Sequence, residues 1–262
     1  MKTKSAGKAI KETLGRCETP NGVCWVVLEK GKTVAEIVPD PFGPFERTGV
    51  VWALSEVRLL APVVPSKVVG VGVNYSDHAV EFGHEEPKEP LIFLKPPSAV
   101  IATEETIRLP ARSRWVEYEA EIAVVIGRRA RNVSVAQAEN YILGYSLMND
   151  VTARDLQKDD GQWMRAKGFD TFAPLGPWIV TGLNPKKLRV QAWLNGRCRQ
   201  NETTAKMIFD IPTLVSFISR VMTLEPGDVI STGTPSGVAP LKSGDRIEIR
   251  SPEIGRLVNK VL

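Results

Sequence analysis

Short apolar stretches separated by glycine and proline dominate the chain from residue 66 onward. Stretches of this length, bounded by turn residues, are typical of β-strands rather than of helices. The segments predicted as strands are, in chain order, KVVGVGVNY (67–75), RLPAR (108–112), EYEAEIAVVIG (117–127), YILGYSLMND (141–150), PLGPWIVTG (174–182), LRVQAWLNG (188–196), DVISTG (228–233) and DRIEIR (245–250). The pattern therefore predicts a mainly β fold with few helices, in an α+β arrangement.

Two segments carry helical signals instead. SVAQ, at 134–137, has the S-x-x-Q spacing of a capping box and predicts a helix that runs towards Asn140. DIPTLVSFISRVM, at 210–222, places Pro212 in a first helical turn and is followed by an apolar stripe at i, i+3, i+4 and i+7. The residues of that stripe, which we expect to pack in the core, are Leu214, Phe217, Ile218 and Val221.

The first sixty residues are organised differently from the rest. VCWVVLEKGKTVAEIV, at 23–38, predicts two strands around the turn EKGK, and VRLLAPVVP, at 57–65, predicts another. Between them PDPFGPFERTG, at 39–49, contains three prolines and two glycines and predicts a loop. We therefore expect a small N-terminal domain or arm over residues 1–62 and a larger domain over residues 63–262.

Composition narrows the class of protein. With 43% hydrophobic and 24% charged residues, the 262-residue chain is typical of a globular protein with a sizeable core. Its 34 basic and 30 acidic residues are scattered, so the net charge of +4 does not form the basic stripe that nucleic-acid binding requires. We expect no nucleic-acid partner, and the mildly basic balance suits an acidic small molecule.

The cysteines and the N-terminal segment bear on the cellular compartment. Three cysteines without a C-x-x-C pair disfavour a disulfide framework or a zinc knuckle and favour a reducing cytoplasmic setting. MKTKSAGKAIKETLGR, at 1–16, has no continuous apolar core and does not resemble a secretory signal. No run approaches eighteen apolar residues, so no membrane contact is expected.

Two glycine-rich motifs suggest nucleotide binding, but each lacks residues that such a site requires. GVGVNY, at 70–75, begins like a G-x-G-x-x-G dinucleotide fingerprint, but Tyr75 occupies the third glycine position. TGTPSG, at 232–237, lacks the GK[ST] of a phosphate loop and is expected to form a tight turn between strands. The sequence contains no HExxH and no GxSxG motif.

The strongest chemical signal is a row of three glutamates. Strand alternation in VEYEAEIAVVIG places Glu117, Glu119 and Glu121 on one face, with neighbouring carboxylates about 7 Å apart. The row could be the solvated acidic face of an edge strand, but the buried run IAVVIG continues the same strand. Carboxylates packed on a partly buried face raise each other's pKa unless a cation neutralises them. Oxygen ligands favour a hard ion, Mg²⁺ first, with Mn²⁺ or Ca²⁺ possible.

Further candidates stand at strand ends and in loops. Asp150 ends the apolar strand at 141–150, where its carboxylate can project into a cleft, and Lys167 lies in the loop that precedes Gly168. Both histidines of the chain, His78 and His84, lie in NYSDHAVEFGH at 74–84. Histidine is the side chain best suited to proton transfer near neutral pH, although two solvated histidines in a polar loop need no special explanation.

Six motifs together resemble the fumarylacetoacetate hydrolase family, in its order and approximate spacing over residues 66–250. They are GVGVNYSDHAVE, FLKPPSAV, VEYEAEIAVVIG, NDVTARDLQ, RAKGFDTFAPLGPW and LEPGDVISTGTPSGV. The chain is most similar to the bacterial branch of 2-hydroxyhepta-2,4-diene-1,7-dioate isomerases and 5-oxopent-3-ene-1,2,5-tricarboxylate decarboxylases of aromatic catabolism. The resemblance implies a β-sandwich roll of mixed sheets over residues 63–262, and a homodimer.

The resemblance also implies roles for individual residues. It assigns the metal ligands to Glu119, Glu121 and Asp150 and leaves Glu117 outside them. It assigns a catalytic pair and a catalytic lysine, and positions that contact the carboxylate or oxo groups of the substrate. The catalytic residues are His78, Glu81 and Lys167, and the substrate contacts are Arg154, Gln157 and Thr234. His84 matches no family position, and we expect it on the surface of a lid formed by residues 76–90.

The implied reaction begins with a 2-oxo or 2-hydroxydienoic dicarboxylic acid that binds the metal through its C1 carboxylate and C2 oxygen. The metal acts as a Lewis acid that stabilises an enolate, which can lead to isomerisation, decarboxylation or hydrolysis. In hydrolysis His78, oriented by Glu81, would be the general base, because H-x-x-E spacing places both side chains on one face of a helical turn.

Several alternatives stay open at this point. Within the family, fumarylpyruvate hydrolase, other acylpyruvate hydrolases and oxaloacetate decarboxylase are close to the isomerases. Outside it, the chain could be a catalytically silent binding protein on the same fold, or a metal-independent lyase that uses Lys167 as a Schiff base.

Overall fold

The computed structural model describes residues 11–30, 32–81, 83 and 85–262. The described residues are mainly β, which confirms the predicted fold class. The strands are β1 (Thr13–Thr19), β2 (Gly22–Leu28), β3 (Thr33–Val38), β4 (Glu46–Ala53), β5 (Arg58–Leu59), β6 (Val68–Gly72), β7 (Leu91–Lys95), β8 (Val100–Ile101), β9 (Thr106–Ile107), β10 (Val116–Glu117), β11 (Ala120–Ile126), β12 (Ile142–Asn149), β13 (Thr152–Ala153), β14 (Ala173–Val180), β15 (Arg189–Leu194), β16 (Arg197–Thr203), β17 (Val229–Ser231), β18 (Arg246–Ser251) and β19 (Gly255–Val261).

Short helices connect these strands. The α-helices are α1 (Ser76–Glu81), α2 (Arg154–Asp160), α3 (Met164–Lys167) and α4 (Ile211–Val221). The 3₁₀ helices are Leu54–Glu56, Pro97–Ala99, Val135–Tyr141 and Thr204–Lys206. Among the described residues, no helix has the length and apolar content needed to cross a membrane.

The strands of the described residues pair into three sheets of twelve, five and two strands. The large sheet has the order β4-β3-β2-β1-β14-β12-β11-β17-β6-β7, with β5 beside β1 and β8 beside β14. The second sheet has the order β16-β15-β18-β19-β9, and β10 pairs with β13. Most neighbours are antiparallel, but β17 with β6, β14 with β8 and β19 with β9 are parallel, so the sheets are mixed.

The centre of the large sheet is buried on both faces. Successive residues of β11 enter different apolar clusters, Ile122 and Val124 the larger one and Ala123 and Val125 the smaller one. A strand covered on both faces reads as a continuous apolar run, which explains the sequence IAVVI. The glutamates that precede this run are therefore carried into the interior rather than along a solvated edge.

Helix α4 begins where the sequence predicted. Asp210 caps its first turn, accepting a hydrogen bond from the Thr213 backbone N–H at 3.0 Å, and Pro212 lies in that turn. Leu214 and Ile218 of the predicted stripe are buried in the core. Val221 is 55% exposed, because it is the last helical residue and the chain turns away after it.

Four local predictions were wrong in whole or in part. A helix does follow Ser134, but it is a 3₁₀ helix, and the Ser134 hydroxyl contacts the Gln137 side chain instead of capping the backbone. The loop predicted over 39–49 ends earlier, because β4 begins at Glu46. RLPAR, at 108–112, is not a strand, since Pro110 has no N–H to donate to a sheet. The strand expected over 117–127 is interrupted, because Tyr118 and Glu119 belong to neither β10 nor β11.

Candidate active site

Three carboxylates meet where β11 begins and β12 ends. The two strands are antiparallel with Ala120 opposite Asn149, so the next position of each brings Glu119 opposite Asp150. The Asp150 backbone N–H donates to the Glu119 carbonyl at 2.9 Å and fixes this register. Glu121, two residues along β11, shares the face of Glu119. Each of the three buried side chains offers an oxygen within 4.8 Å of the others'.

Lys167 binds two of these carboxylates directly. Its Nζ, at the end of α3, donates to Glu119 at 2.9 Å and to Asp150 at 2.6 Å, and to the Thr152 hydroxyl at 2.8 Å. Burial alone would lower the pKa of Lys167, but Asp150 and Glu119 outweigh it, so its pKa lies above that of an ordinary lysine. The amine is therefore held as an ammonium ion.

A second buried lysine, which the sequence analysis did not single out, approaches the cluster from β7. Lys95 Nζ donates to the other oxygen of Asp150 at 2.5 Å and to the Val151 carbonyl at 3.2 Å. Burial lowers the pKa of Lys95, and Asp150 partly restores it. The available signal was a lysine that ends the apolar segment LIFLK directly before two prolines, a place where a solvated lysine is unusual.

Arg154, at the start of α2, lies between Glu117 and Glu119 and donates hydrogen bonds to both. Its Nε donates to Glu117 at 2.8 Å and its Nη2 to Glu119 at 2.5 Å. Glu117 also accepts a hydrogen bond from the Trp115 indole N–H at 2.8 Å. The Glu117 carboxylate thus lies apart from the cluster, as the family resemblance implies and as strand alternation alone could not decide.

Glu121 has the least favourable charge environment of the cluster. Burial and the nearby charges of Asp150 and Glu119 raise its pKa well above the usual value. For Glu119, burial acts in the same direction, but Lys167 and Arg154 overcome it and lower the pKa. One member of the trio is therefore stabilised by lysine and arginine, while Glu121 lacks a cationic contact among the described residues.

The turn after β17 supplies hydrogen bonds to Glu121 instead. One carboxylate oxygen accepts from the Ser231 hydroxyl at 2.5 Å and from the Gly233 backbone N–H at 2.8 Å. Gly233 has φ +94°, and a Cβ at this position would lie 2.6 Å from the Cβ of Asn74. Glycine is therefore required to present its N–H to the carboxylate. The segment TGTPSG is not only a turn, because it also orients a member of the cluster.

His78 and Glu81 meet on α1, as their spacing predicts. His78 Nδ1 lies 2.9 Å from one Glu81 oxygen, and the Gly237 backbone N–H donates to the other at 3.0 Å. His78 is 8% exposed and lines the pocket above the carboxylates. His84 lies outside the described residues, and the lid expected over residues 76–90 stays a prediction.

The pocket over the cluster has a volume of about 490 Å³. Its residues come from β6 and the loop after it, from α1, from the segment before β10, from the start of β11 and the residue before it, from α2, from α3 and the residue before it, and from the turn after β17. The predicted site residues among them are His78, Glu119, Glu121, Arg154, Gln157, Lys167 and Thr234. Asp150 and Glu81 are not among the residues that line the pocket; they contact two that are, Lys167 and His78.

The hydroxyl of Thr234, a predicted substrate contact, already forms two hydrogen bonds within the protein. Its hydroxyl donates to the Ala120 carbonyl at 3.0 Å and accepts from Gln200 at 2.8 Å. Gln200 in turn accepts from the Ala120 backbone N–H at 3.0 Å. Gln200 was not found from the sequence, since a single glutamine in a strand carries no recognisable pattern.

Aromatic rings form one wall of the pocket. Lys167 Nζ lies 4.7 Å from the centre of the Phe93 ring and 6.0 Å from that of Trp163, distances at which a cation is attracted to the ring face. Trp163 packs against β6 at Gly72, where an added Cβ would lie 2.2 Å from the ring. Trp115 also lines the pocket and is 48% exposed.

The donor set fits a hard divalent cation. Glu119, Glu121 and Asp150 offer oxygen atoms alone, and their ligand atoms are close enough together to share one ion. A divalent charge would also offset the repulsion that raises the pKa of Glu121. The buried cluster could therefore bind a divalent metal ion.

Comparisons with known proteins agree over nearly the whole chain. The family model described as "Fumarylacetoacetate (FAA) hydrolase C-terminal" matches residues 67–262, and the model "Rv2993c-like, N-terminal" matches residues 13–62. A solved structure of 5-carboxymethyl-2-hydroxymuconate delta-isomerase from Mycobacterium smegmatis is 49% identical. It superposes with a TM-score of 0.91, over 95% of this chain and 99% of that one.

Two further relatives have informative names. The 2-hydroxyhepta-2,4-diene-1,7-dioate isomerase from Mycobacterium marinum is 47% identical with a TM-score of 0.90, over 96% of this chain and 98% of that one. The oxaloacetate tautomerase FAHD2A, mitochondrial, from Bos taurus is 42% identical over 221 residues, which are 79% of this chain and 70% of that protein.

Proposed function

The chain belongs to the fumarylacetoacetate hydrolase family of enzymes, and we propose that it isomerises a 2-oxo or 2-hydroxydienoic dicarboxylic acid with the help of a divalent metal ion. The observation that carries this proposal is the Glu119, Glu121 and Asp150 cluster at the base of a pocket that also contains His78 and Lys167. The similar proteins named as isomerases and as a tautomerase support proton transfer as the reaction class.

The charges of the site suit an anionic substrate. Four buried carboxylates face three buried cations in and around the cluster, so the protein alone carries an excess of one negative charge if all are ionised. They are Glu117, Glu119, Glu121 and Asp150, against Lys95, Arg154 and Lys167. A bound divalent ion would reverse the sign of this balance. When bound by the three carboxylates, Mg²⁺ or a similar ion supplies the Lewis acidity that makes a proton beside a 2-oxo group easier to remove.

The side chains supply the rest of the chemistry. In the neutral tautomer whose Nδ1–H donates to Glu81, the other ring nitrogen, Nε2, is a proton acceptor, which is the form a general base needs. We assign to it the removal of a proton from C3 of a 2-oxo substrate, or from the C2 hydroxyl of a 2-hydroxydienoic substrate, and both give the same enolate. The negative charge passes to the C2 oxygen, and the proton returns either there or at C5 of a conjugated diene. Lys167, held as an ammonium ion, stabilises the anionic form electrostatically.

A second reaction is favoured by the His78 and Glu81 contact of 2.9 Å. The same base could activate water for attack on a distal carbonyl, which is the chemistry of acylpyruvate hydrolases. Loss of CO₂ from oxaloacetate would use the same enolate. These two outcomes are the alternatives to isomerisation.

One assay panel separates the three outcomes. The purified protein with Mg²⁺ is mixed with oxaloacetate, 2-hydroxyhepta-2,4-diene-1,7-dioate and acetylpyruvate, while enol absorbance and CO₂ release are followed. The proposal predicts faster equilibration of the keto and enol forms without CO₂. Glu81→Gln should slow it about tenfold or more, whereas Glu86→Gln, an exposed residue five positions along, should not. Rapid C–C cleavage without isomerisation would contradict the proposal.

A further inference from the structure

Helix α2 presents three polar residues to the pocket. Arg154, Gln157 and Lys158 occupy positions i, i+3 and i+4, which lie on one helical face, and all three line the pocket. Arg154 is already engaged by Glu117 and Glu119, and its Nη1 donates to Gln157 at 2.9 Å. Lys158 forms no ion pair with any of the residues that the structure describes. It is therefore a cation that faces the pocket without a protein partner there.

Lys158 lies farther from the carboxylate cluster along α2 than Arg154 does. Along α2, Arg154 is buried, Gln157 is half-buried and Lys158 is exposed, so the helix runs from the carboxylate cluster towards the mouth of the pocket. Four helical residues correspond to about 6 Å along the axis. Among the α2 residues that line the pocket, Lys158 is thus the most exposed and the farthest along the helix from Arg154, which contacts Glu119 of the cluster.

The remaining lining of the pocket is mainly apolar. Trp115 and Trp163 line the pocket together with Val71 and Val73. A molecule that complements these three parts of the pocket has an oxygen-rich end for the cluster, a short carbon chain for the apolar walls and a second anionic group for Lys158.

We propose that Lys158 binds the distal carboxylate of the substrate, and that it thereby selects 2-oxo dicarboxylic acids over 2-oxo monocarboxylic acids of equal length. This inference rests on the proposed function, since it requires the 2-oxo end of the molecule to bind at the cluster. Lys158, which is not one of the predicted site residues, would then determine the preference for dicarboxylic over monocarboxylic acids.

The test is calorimetric titration of the full chain in Mg²⁺ with two acids that differ only in the distal group. They are 2-oxoadipate and 2-oxohexanoate. Wild type should bind 2-oxoadipate about fivefold more tightly, the size expected for a solvent-accessible ion pair. Lys158→Gln should bring the ratio close to one, and Lys158→Glu should reverse it, while affinity for 2-oxohexanoate changes less than about twofold. Lys187→Gln, at an exposed lysine outside the pocket, should leave the ratio unchanged.

The outcomes distinguish this inference from the proposed function. A ratio that is the same in wild type and Lys158→Gln, or an equal loss of affinity for both acids, would overturn the role of Lys158 alone. Failure of wild type to bind either acid in Mg²⁺ would overturn the proposed function and this inference with it. Raising the KCl concentration should reduce the preference of wild type but not the affinity for 2-oxohexanoate, because an exposed ion pair is screened by salt.

Discussion

Glu117 and Glu121 come from the same sequence motif and are both buried, but the neighbouring charges are positive at Glu117 and negative at Glu121. Glu117 is bound by Arg154 and Trp115, whereas Glu121 faces the charges of Asp150 and Glu119. Removing a charge that is paired leaves a buried partner uncompensated, while removing a charge that is repelled relieves the fold. The two glutamates should therefore respond in opposite ways to the same substitution.

We predict that Glu121→Gln lowers activity by about a hundredfold or more but raises the free energy of unfolding of the metal-free protein by about 1 kcal/mol. The sign follows from its raised pKa. A carboxyl group of this kind destabilises the folded state when it ionises, and glutamine cannot ionise. Glu117→Gln is the matched control and should lower the same free energy by about 2 kcal/mol, because Arg154 loses one of its two carboxylate partners and keeps Glu119. Urea denaturation at pH 8 with EDTA measures both, and a loss of stability in Glu121→Gln would contradict the charge assignment.

Lys167 should not form a covalent adduct with substrate. Its ammonium group is held by Glu119, Asp150 and Thr152, and its raised pKa disfavours the neutral amine that a Schiff base requires. After incubation with oxaloacetate and sodium borohydride, the intact mass of the protein should be unchanged. A stable mass increase that disappears in Lys167→Met would instead support the metal-independent lyase.

At the scale of elements, the carboxylate trio is a product of strand register. The residue pattern alone gave a glutamate row and, separately, Asp150, and only the family resemblance grouped Glu119, Glu121 and Asp150 as one set of ligands. In the structure their meeting depends on Ala120 pairing with Asn149 across β11 and β12. Such a pairing is set by contacts along both strands and is not visible in either segment alone. Lys95 and Trp163 were not predicted, because both lie far from the glutamate motif in the sequence and only the fold brings β7 and the segment before α3 to the site.

The break between β10 and β11 also had no signal in the sequence. Perfect alternation over 116–122 predicted one strand, but Ala120 pairs with β12 while Glu117 pairs with Thr152 of β13. Two different partner strands pull the segment into two sheets. Helix α4, by contrast, was predictable because its cap and apolar stripe are local features.

Gly72 at the end of β6 determines where the Trp163 wall can lie. An added Cβ would overlap the ring at 2.2 Å, so Gly72→Ala must displace the indole, which lines the pocket. We predict that kcat/KM falls about tenfold, mainly through KM. Gly43→Ala, at a glycine with open space around it, is the control and should leave both constants unchanged. Steady-state kinetics decides, and unchanged constants in Gly72→Ala would mean that the ring does not contact substrate.

At the scale of the whole molecule, the N-terminal strands extend the sheet that carries the site. β1 pairs with β14 through Thr13 opposite Val180 and Leu14 opposite Ile179. The Glu12 backbone N–H also donates to the Thr181 hydroxyl at 2.8 Å. The domain boundary at residue 62 stays a prediction. It can be tested by asking whether residues 63–262 fold when β1 no longer pairs with β14.

We predict that a chain of residues 63–262 is less stable than the full chain and self-associates. Removing β1 would leave β14 with unpaired backbone groups and would uncover Trp178, which packs on Gly15. Thermal unfolding and light scattering of both chains measure this outcome. A truncated chain with the same melting temperature, the same oligomeric state and full activity would show instead that residues 1–62 are a dispensable arm.

The most direct test of the account is Mn²⁺ binding to the metal-free protein, measured by electron paramagnetic resonance. If Glu119, Glu121 and Asp150 share one cation, wild type should bind one Mn²⁺ per chain at this site, and Asp150→Asn should bind it at least about a hundredfold more weakly. Addition of oxalate should alter the spectrum of the bound ion in wild type. Equal binding by wild type and Asp150→Asn, or full activity of a protein that binds no ion, would contradict the central claim.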